Sequence, residues 1–428
     1  MKVLRSKSFI VLIAAIMLVV ASVTACAKEA APAEPAVPAV EPIVLGAPAS
    51  LGTIAYNLPN GVKLAAKEIN AEGGVLLDGV KHPLKIVTAD TRDLEPAIPI
   101  HDVVLAYEDL IAKEKPAALV AGPIRSEAML AVMENIAEDK IIHIFSGGVS
   151  PTFMELVKGD YDKYKYFFKN SPSSMDLGMG LFSAMNFVMS EFGYNKVFFL
   201  TEDVDFARAT EAGMSALLPT AGWEVVGSAH TPLGMTDYSA ALLQLKDSGA
   251  EVGFYIYSSE ASPLARQYKA MKIPALLVGV CDPLGGPAAW EKTEGAVKGM
   301  VNIISGAGNV AVPAMPKTVE FQENYLKEYG ELVQITLGCS QSYDAVYILV
   351  DAIERAGSLD SDALVTALEA TDWAGVCGRT TFDPEAHNAI YGFDPAEAAL
   401  VPVIQWIDGK RVPVFPESIA ETKIQLPE

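Results

Sequence analysis

Carboxylates and imidazoles are the side chains of this chain best suited to catalysis or metal binding. Glu202, Asp203 and Asp205 stand together directly after an apolar run. Such a cluster can bind a cation, but it lacks the Asp-x-Asp-x-Asp-Gly spacing of a calcium loop. We therefore interpret it as a solvated rim or the first turn of a helix, where acids favour the helix dipole. The histidines are expected to be surface or packed residues, and they are scattered as His82, His101, His143, His230 and His387.

Motifs of the common enzyme classes are absent from the sequence. There is no Gly-x-x-x-x-Gly-Lys-Ser/Thr phosphate loop, no Gly-x-Ser-x-Gly nucleophile turn and no His-Glu-x-x-His zinc motif. Gly178 and Gly180 begin a dinucleotide fingerprint that lacks its third glycine, and they lie inside a helical pattern, so they indicate helix packing. The sequence therefore predicts no enzymatic activity and no cofactor.

The cysteines carry no metal-ligand spacing either. Cys281, Cys339 and Cys377 occur without a Cys-x-x-Cys or Cys/His pattern, so no zinc site is expected. Two alternatives remain for them. Cys339 and Cys377 form a disulfide and leave Cys281 free, or all three are buried thiols.

The N-terminus has the order of a bacterial export signal. Basic residues precede an apolar run over residues 9–20, and the run ends in Val23-Thr24-Ala25-Cys26. Small residues before a cysteine resemble the lipobox of lipoproteins, which implies that residues 1–25 are cleaved and Cys26 is lipid-modified. The alternative is a transmembrane helix, but the apolar run is shorter than the ~20 residues that a span needs.

A spacer and an acidic body follow the predicted signal. Residues 26–42 are rich in Ala, Pro and Glu, which cannot bury a core and favour an extended linker. About 385 residues remain, which fits two domains.

The formal charge of −21 becomes −24 without residues 1–25, because these carry three bases and no acid. Such a charge disfavours binding to nucleic acid and to anionic lipid surfaces.

From residue 43 onwards, short apolar runs alternate with amphipathic stretches. Runs such as Ile43–Gly46, Ile141–Ser146 and Val252–Tyr257 are continuously apolar, as expected for parallel strands covered on both faces. The pattern predicts a doubly wound α/β fold, in which ligands bind beyond the carboxyl ends of the strands. The loops that follow strands are therefore the candidate site, at residues 122–126, 146–150, 201–206, 257–260 and 280–284.

Ordered motifs along residues 43–410 give the chain a family resemblance. It resembles the solute-binding proteins of branched-chain amino-acid ABC transporters, the leucine/isoleucine/valine-binding type with a type I periplasmic-binding fold. The motifs are Asn60-Gly61, Glu68-Ile69-Asn70 with Gly73-Gly74, Ala89-Asp90-Thr91, Val120 to Ser126, Thr236 to Ser239, Tyr343-Asp344-Ala345 and Gly378 to Asp383.

The resemblance implies two Rossmann-like lobes joined by three hinge crossings. Residues 43–173 and 304–383 would form the N-terminal lobe, and residues 174–303 and 384–428 the C-terminal lobe. The crossings are expected near Ser171–Ser174, Ile303–Gly306 and Thr381–Glu385. A ligand between the lobes would be held by hinge closure.

The resemblance also implies which first-lobe residues hold a ligand carboxylate. Ser126 matches the family's binding serine, and Gly147 and Gly148 match a loop that contributes backbone groups. Val149 stands where the family usually has a threonine, so one hydroxyl is missing. Arg125 beside Ser126 could hold a carboxylate bidentately; the alternative is that it points to solvent at the cleft mouth.

In the second lobe, Tyr257 matches a ligand-holding tyrosine and Phe206 replaces another tyrosine without its hydroxyl. The family's ammonium-binding glutamate aligns with Cys281, and the neighbouring Asp282 takes that role only if the loop shifts by one residue. Without Asp282 an α-ammonium would lack its partner, which favours a carboxylate without an amine. Tyr56 is a further candidate for an aromatic wall, although it can equally be core.

The function implied by the resemblance is ligand binding for an ABC importer. The protein would be monomeric and would lie outside the cytoplasm at a membrane through Cys26. It would bind a branched-chain or other apolar amino acid, or a small carboxylate, for permease subunits. A ligand sensor that serves a receptor without transport is an alternative with the same fold.

Overall fold

The computed structural model describes residues 40–95 and 97–427. The predicted signal sequence, Cys26 and nearly all of the linker lie outside these residues. Within the described ranges, no helix combines the length and the apolarity that a membrane crossing requires.

Eighteen strands occur in the described chain. They are β1 Ile43–Gly46, β2 Val75–Leu77, β3 Val80–His82, β4 Leu84–Val87, β5 Ala118–Ala121, β6 Ile142–Phe145, β7 Phe167–Lys169, β8 Lys196–Glu202, β9 Glu224–Thr231, β10 Val252–Ile256, β11 Leu276–Val280, β12 Val301–Ile303, β13 Trp373–Gly375, β14 Gly378–Thr380, β15 Tyr391–Gly392, β16 Ala399–Leu400, β17 Val403–Ile407 and β18 Lys410–Phe415.

Fourteen α-helices accompany the strands in the same residue ranges. They are α1 Asn57–Ala71, α2 Ile100–Glu114, α3 Ser126–Ile136, α4 Thr152–Gly159, α5 Tyr161–Tyr164, α6 Ser174–Phe192, α7 Asp205–Leu217, α8 Ser239–Asp247, α9 Ser262–Ala270, α10 Asp282–Gly285, α11 Ala289–Lys292, α12 Pro316–Tyr329, α13 Cys339–Ala356 and α14 Ser361–Glu369.

Two large sheets form the centres of two lobes. The first lobe contains a parallel sheet in the order β4-β1-β5-β6-β7, and the second lobe contains a sheet in the order β18-β17-β12-β11-β10-β8-β9. In the second sheet, β8 to β12 are parallel, whereas β17 and β18 are antiparallel additions at one edge. The predicted α/β fold with two lobes is confirmed.

Each large sheet has an apolar core on both faces, which explains the continuous apolar runs. In β10, Val252, Phe254 and Ile256 belong to one core of the second lobe and Tyr255 belongs to the other. Successive residues of a strand point to opposite faces. A strand between two helical layers must therefore be apolar at every position.

Hydrogen bonds tie together the segments that connect the two sheets. Asn170 Nδ2, just after β7, donates to the carbonyl of Gln341 at 2.7 Å. Gln341 Nε2 in turn donates to the carbonyl of Ser305, just after β12, at 2.7 Å. Tyr391 Oη donates to the carbonyl of Asn170 at 2.7 Å. These contacts join the connections into one network, while the predicted residue limits of the lobes stay a prediction.

The cysteines of the described body are buried thiols. Cys281, Cys339 and Cys377 are all free, so the Cys339–Cys377 disulfide is not formed. Burial raises the pKa of each thiol well above its usual range, which keeps the thiols protonated and unreactive.

Lys169 is a fully buried base at the end of β7, beside the inter-sheet connection. Its Nζ donates to the carbonyl of Ser171 at 3.0 Å and lies 5.8 Å from the ring centroid of Phe153. Burial lowers the pKa of Lys169 to about 7, and the charge of Asp176 opposes this only in part. An ammonium group without a carboxylate partner in contact is costly to bury.

We expect Lys169→Met to raise the free energy of unfolding by roughly 1–3 kcal/mol at pH 7. In the parent protein the unfolded chain keeps a proton on Lys169 up to about pH 10.4, whereas the folded chain loses it near pH 7. The free energy of unfolding of the parent protein therefore rises with pH between pH 7 and 10. Urea unfolding across this range should show the advantage of the variant shrinking towards pH 10. A pH-independent advantage would contradict this account of Lys169.

Candidate functional site

A cavity of about 800 Å³ opens between the first-lobe loops and two helices of the second lobe. Its first-lobe wall lies at the carboxyl ends of β5 and β6, as the fold predicts. That wall includes Leu94, Ile124, Arg125, Ser126, Val149 and Ser150. The second-lobe wall is built mainly from α6 and α7, with Ser258 from the loop after β10.

A buried carboxylate holds the loop that presents Arg125 and Ser126. Asp93 is only 2% exposed, and its Oδ2 accepts hydrogen bonds from the backbone N–H groups of Ile124 at 2.9 Å and Arg125 at 3.0 Å. The Thr91 hydroxyl donates to the other carboxylate oxygen. Asp93 thereby fixes the backbone just before α3, so that Ser126 begins the helix at the cavity wall.

Arg125 lies at the cavity with only weak partners. Its side chain is 39% exposed, Nη1 donates to the carbonyl of Ile98 at 3.3 Å, and Nε lies 3.5 Å from Glu127 Oε2. Among the side chains that the structure describes along the cavity, Arg125 is the only base. Most of its donors remain available, so a ligand carboxylate can be bound there bidentately.

Ser126 and Val149 are brought together by a direct contact. The Ser126 hydroxyl accepts a hydrogen bond from the Val149 backbone N–H at 3.2 Å, and both residues line the cavity. Gly147 and Gly148 do not line it. The Ser171 hydroxyl donates to their carbonyls at 2.6 and 3.0 Å, which places them in the loop that carries Val149. A Cβ at Gly147 would lie 2.4 Å from the Pro123 carbonyl oxygen, so this close approach requires glycine.

The second-lobe loop is fixed by Glu202, which is buried rather than solvated as the sequence suggested. Its Oε2 accepts from the backbone N–H of Ser258 at 2.9 Å and from the Ser258 hydroxyl at 2.6 Å, and Ser259 also donates to it. Because the Ser258 hydroxyl gives its proton to Glu202, its free lone pairs make Ser258 a hydrogen-bond acceptor in the cavity. Within the described ranges, no group of His, Cys, Asp and Glu side chains is arranged to hold a metal ion.

Phe206 lines the cavity at the first turn of α7, but Tyr257 does not reach it. Tyr257 is fully buried and its ring packs edge-on to Tyr238 with centroids 5.7 Å apart. Its hydroxyl accepts a hydrogen bond from Thr231 at 3.2 Å, and burial raises its pKa above the usual range. In this conformation Tyr257 is part of the core of the second lobe.

The two candidates for an ammonium site also lie away from the cavity lining. Cys281 is fully buried, and its backbone N–H donates to Asn302 Oδ1 at 2.9 Å. Asp282 begins α10, accepts a hydrogen bond from the Thr336 hydroxyl, and has a pKa raised to about 6 by burial. Asp282 thus contacts the segment between α12 and α13 instead of the cavity.

The Tyr56 hydroxyl is also hydrogen-bonded away from the cavity. Its hydroxyl donates to Glu331 Oε1 at 2.6 Å, and burial together with this carboxylate raises the pKa of Tyr56 to about 12. This contact joins the turn before α1 to the loop after α12. Tyr56 therefore does not line the cavity.

Helices α6 and α7 supply a wall of which only Phe206 was predicted from the sequence as a site residue. The α7 residues on the cavity lie at the spacing i, i+3, i+4, i+7, i+8 and i+11, which is one complete helix face. They are Phe206, Ala209, Thr210, Gly213, Met214 and Leu217. The stripe is visible in the sequence, but it has the same appearance as an ordinary core-facing stripe.

The chain is similar to known solute-binding proteins over most of its length. Residues 48–399 match the family model described as periplasmic binding protein. Leu/Ile/Val-binding protein homolog 7 of Brucella abortus (strain 2308) is 25% identical over 391 residues, which cover 86% of this chain and 89% of that protein.

Solved structures share the fold at low sequence identity. A Silicibacter pomeroyi protein assigned to branched-chain amino acid ABC transport superposes with a TM-score of 0.79 at 20% identity, covering 90% of this chain and 99% of that one. The substrate-binding protein LivJ from Streptococcus pneumoniae, crystallised with isoleucine, superposes with a TM-score of 0.69 at 20% identity, covering 90% and 100%. The family match spans most of the described body, so the chain belongs to the periplasmic binding protein family, extracytoplasmic solute-binding proteins that are not enzymes.

Proposed function

We propose that this protein is the binding component of an ABC importer and holds an amino acid or a small carboxylate between its lobes. The observation that carries the proposal is the juxtaposition of Arg125 and Ser126 with Phe206 and Ser258 around one cavity. The first pair comes from the first lobe and can bind a carboxylate. The second pair comes from the second lobe and supplies an apolar wall and a hydrogen-bond acceptor.

Closure of the lobes would couple binding to recognition by the permease. A ligand that contacts both walls stabilises the arrangement in which they face each other, by the difference in its affinity for the closed and open forms. The network of Asn170, Gln341 and Tyr391 joins the inter-sheet connections, where such a movement would take place. The likeness to Leu/Ile/Val-binding proteins of ABC transport supports this role.

The charged groups at the cavity favour a carboxylate over an amine. Arg125 is a positive partner for an anion. The carboxylate of Glu127 also lines the cavity, but it lies 3.5 Å from Arg125 Nε and its side chain is 65% exposed, while Asp282 is bonded to Thr336 away from the lining. A zwitterionic amino acid would need a carboxylate partner for its ammonium group, because an unpaired buried charge costs several kcal/mol. We therefore place carboxylates without an α-amine ahead of branched-chain amino acids as candidate ligands.

Attachment at a membrane completes the proposal. The lipobox-like residues before Cys26 support lipid modification of this cysteine, and the Ala/Pro/Glu-rich residues 27–42 would serve as a spacer. A monomeric binding protein on such a tether would stay within reach of the permease subunits that receive its ligand.

A thermal-shift screen of amino acids and carboxylic acids tests the binding function. A ligand present at 100 times its dissociation constant should stabilise the folded protein by about 2.7 kcal/mol, seen as a melting temperature higher by several degrees. We expect stabilisation by carboxylates of moderate size. If no compound of a broad screen raises the melting temperature, the solute-binding proposal for this cavity fails.

A further inference from the structure

We propose that the ligand is a monocarboxylate with an extended apolar body, and that this body lies between α6 and α7. This inference rests on the proposed function and names its substrate class. We call the second-lobe part of the cavity the α6–α7 groove, and it is formed by Met175, Gly178, Met179, Ala209, Gly213 and Leu217.

The α6–α7 groove is continuous with the carboxylate-binding wall. Its residues line the same cavity as Arg125 and Ser126, and Phe206 on α7 stands at the same cavity. A cavity of about 800 Å³ lies near the upper end of the range of roughly 300–1,000 Å³ for small-molecule sites. A compact amino acid bound at Arg125 would leave much of this volume unfilled.

The groove offers hardly any polar partner to a ligand. Thr210 is the hydroxyl residue on the α7 face, and its Oγ1 donates to the carbonyl of Phe206 at 2.9 Å, so its proton is used within the helix. Among the described residues that line the cavity, the charged ones are Arg125 and Glu127, and both stand on the first-lobe wall. The Glu127 side chain is 65% exposed and lies 3.5 Å from Arg125 Nε. The charged groups thus lie at one end of a long apolar cavity, and Arg125 at that end matches a ligand with one anionic end and an apolar remainder.

Two glycines keep the groove open. A Cβ at Gly178 or at Gly213 would have no heavy atom within 4 Å, so each faces empty space. Glycine inside a helix destabilises it by roughly 0.5–1 kcal/mol relative to alanine. Neighbouring Gly180 differs, because a Cβ there would lie 3.0 Å from Val401 and 3.1 Å from Ile303. Close packing therefore explains why residue 180 is glycine. At Gly178 and Gly213, by contrast, the absence of a side chain leaves space in the cavity.

Exposed thioethers border this space. Met175 is 64% exposed and Met179 is 47% exposed, one turn apart on α6. Methionine side chains are flexible and adapt to apolar ligands of different shape. At the edge of the groove, the two methionine side chains can pack over the apolar body of a bound ligand. This contact removes their exposed apolar surface from water.

The binding of straight-chain monocarboxylates from butanoate to decanoate tests this inference by calorimetry on the complete protein. Each methylene buried in the groove should tighten binding about three- to fourfold until the groove is filled. Gly213→Leu adds a side chain to open space and should weaken decanoate binding at least tenfold while leaving butanoate binding within twofold. Gly159→Leu, an exposed glycine at the end of α4, is the matched control and should behave as the parent protein.

Two results would overturn the inference in different ways. Affinity that does not change with chain length, or decanoate binding that is unaffected by Gly213→Leu, would remove the groove from the binding site and leave the proposed function standing. Failure of every acid in the series, together with binding of leucine or isoleucine, would replace the substrate class. Failure of all these compounds would contradict the proposed function itself. Melting curves without ligand show whether each variant is folded.

Discussion

Replacing Arg125 by glutamine is expected to weaken carboxylate binding by roughly 10- to 150-fold. This range corresponds to about 1.5–3 kcal/mol for hydrogen bonds to a charged group. Arg125 is the only described base on the cavity and its present partners, Ile98 and Glu127, are at 3.3 and 3.5 Å. The folded protein should lose little stability, because the side chain is part-exposed and its ion pair is weak. Calorimetric titration of both proteins with the best carboxylate measures the change.

Two further variants test whether binding requires the guanidinium group of Arg125 itself or only a positive charge. Arg125→Lys keeps the charge but loses bidentate geometry, so it should recover only part of the lost affinity. Arg355→Gln removes an exposed arginine on α13 that is paired with Asp351, and it should leave binding unchanged. Equal affinity in the parent protein and Arg125→Gln would show that Arg125 points to solvent, the alternative that the sequence left open.

Replacing Asp93 by alanine is expected to lower both stability and affinity. The carboxylate accepts two backbone N–H groups, from Ile124 and Arg125, in a buried position. Leaving two buried donors without acceptors costs about 2–4 kcal/mol. Because Asp93 acts through the loop before α3, carboxylate affinity should also fall at least tenfold. Urea unfolding and ligand titration of the same sample give the two effects.

The conservative variant shows whether Asp93 positions the site or only supports the fold. Asp93→Asn keeps one oxygen acceptor, so it should restore most of the affinity while recovering only part of the stability. Asp93→Ala with full affinity at temperatures where it is folded would contradict a positioning role. Asp344→Ala is the control. Asp344 also accepts two backbone N–H groups, those of Val376 and Cys377 at 2.9 and 2.8 Å, but it does not line the cavity. It should lose stability without a specific loss of affinity.

The central strands could be predicted from the sequence because their apolar runs are continuous. The run Ile43–Gly46 coincides with β1, and β6 and β10 lie within the predicted runs. Strand β9 has no continuous apolar run, since it lies at the sheet edge and most of its residues are exposed or only partly buried. The antiparallel strands β17 and β18 add to a parallel sheet from the far end of the chain, and local pattern carries no information about such pairing.

The site could be predicted where it depends on loop position and not where it depends on packing. Arg125, Ser126, Val149 and Phe206 line the cavity because each of them follows the carboxyl end of a parallel strand in one of the two large sheets. Tyr257 follows β10 as expected, but its ring turns into the core and packs on Tyr238. The direction of a side chain depends on neighbours from distant segments, which sequence spacing does not specify.

Contacts with residues distant in sequence also explain why Asp282, Tyr56 and Glu202 differ from their predicted roles. Asp282 bonds to Thr336 and Tyr56 bonds to Glu331, both far away in sequence. Glu202 was interpreted as part of a solvated cluster because its partners Ser258 and Ser259 lie in another loop. The apolar stripe of α7 was visible, but whether it faces a core or a cavity depends on how α6 and α7 are placed.

Native mass spectrometry of the parent protein and Arg125→Gln shows whether a carboxylate is bound at Arg125 between the lobes. Both proteins would be mixed with the same set of amino acids and monocarboxylates, transferred intact and then denatured to release and identify the bound compound. We expect a one-to-one complex of the parent protein with a monocarboxylate, and loss of that complex in Arg125→Gln. Absence of a bound compound, or equal occupancy of both proteins by the same compound, would contradict a carboxylate held at Arg125 between the lobes.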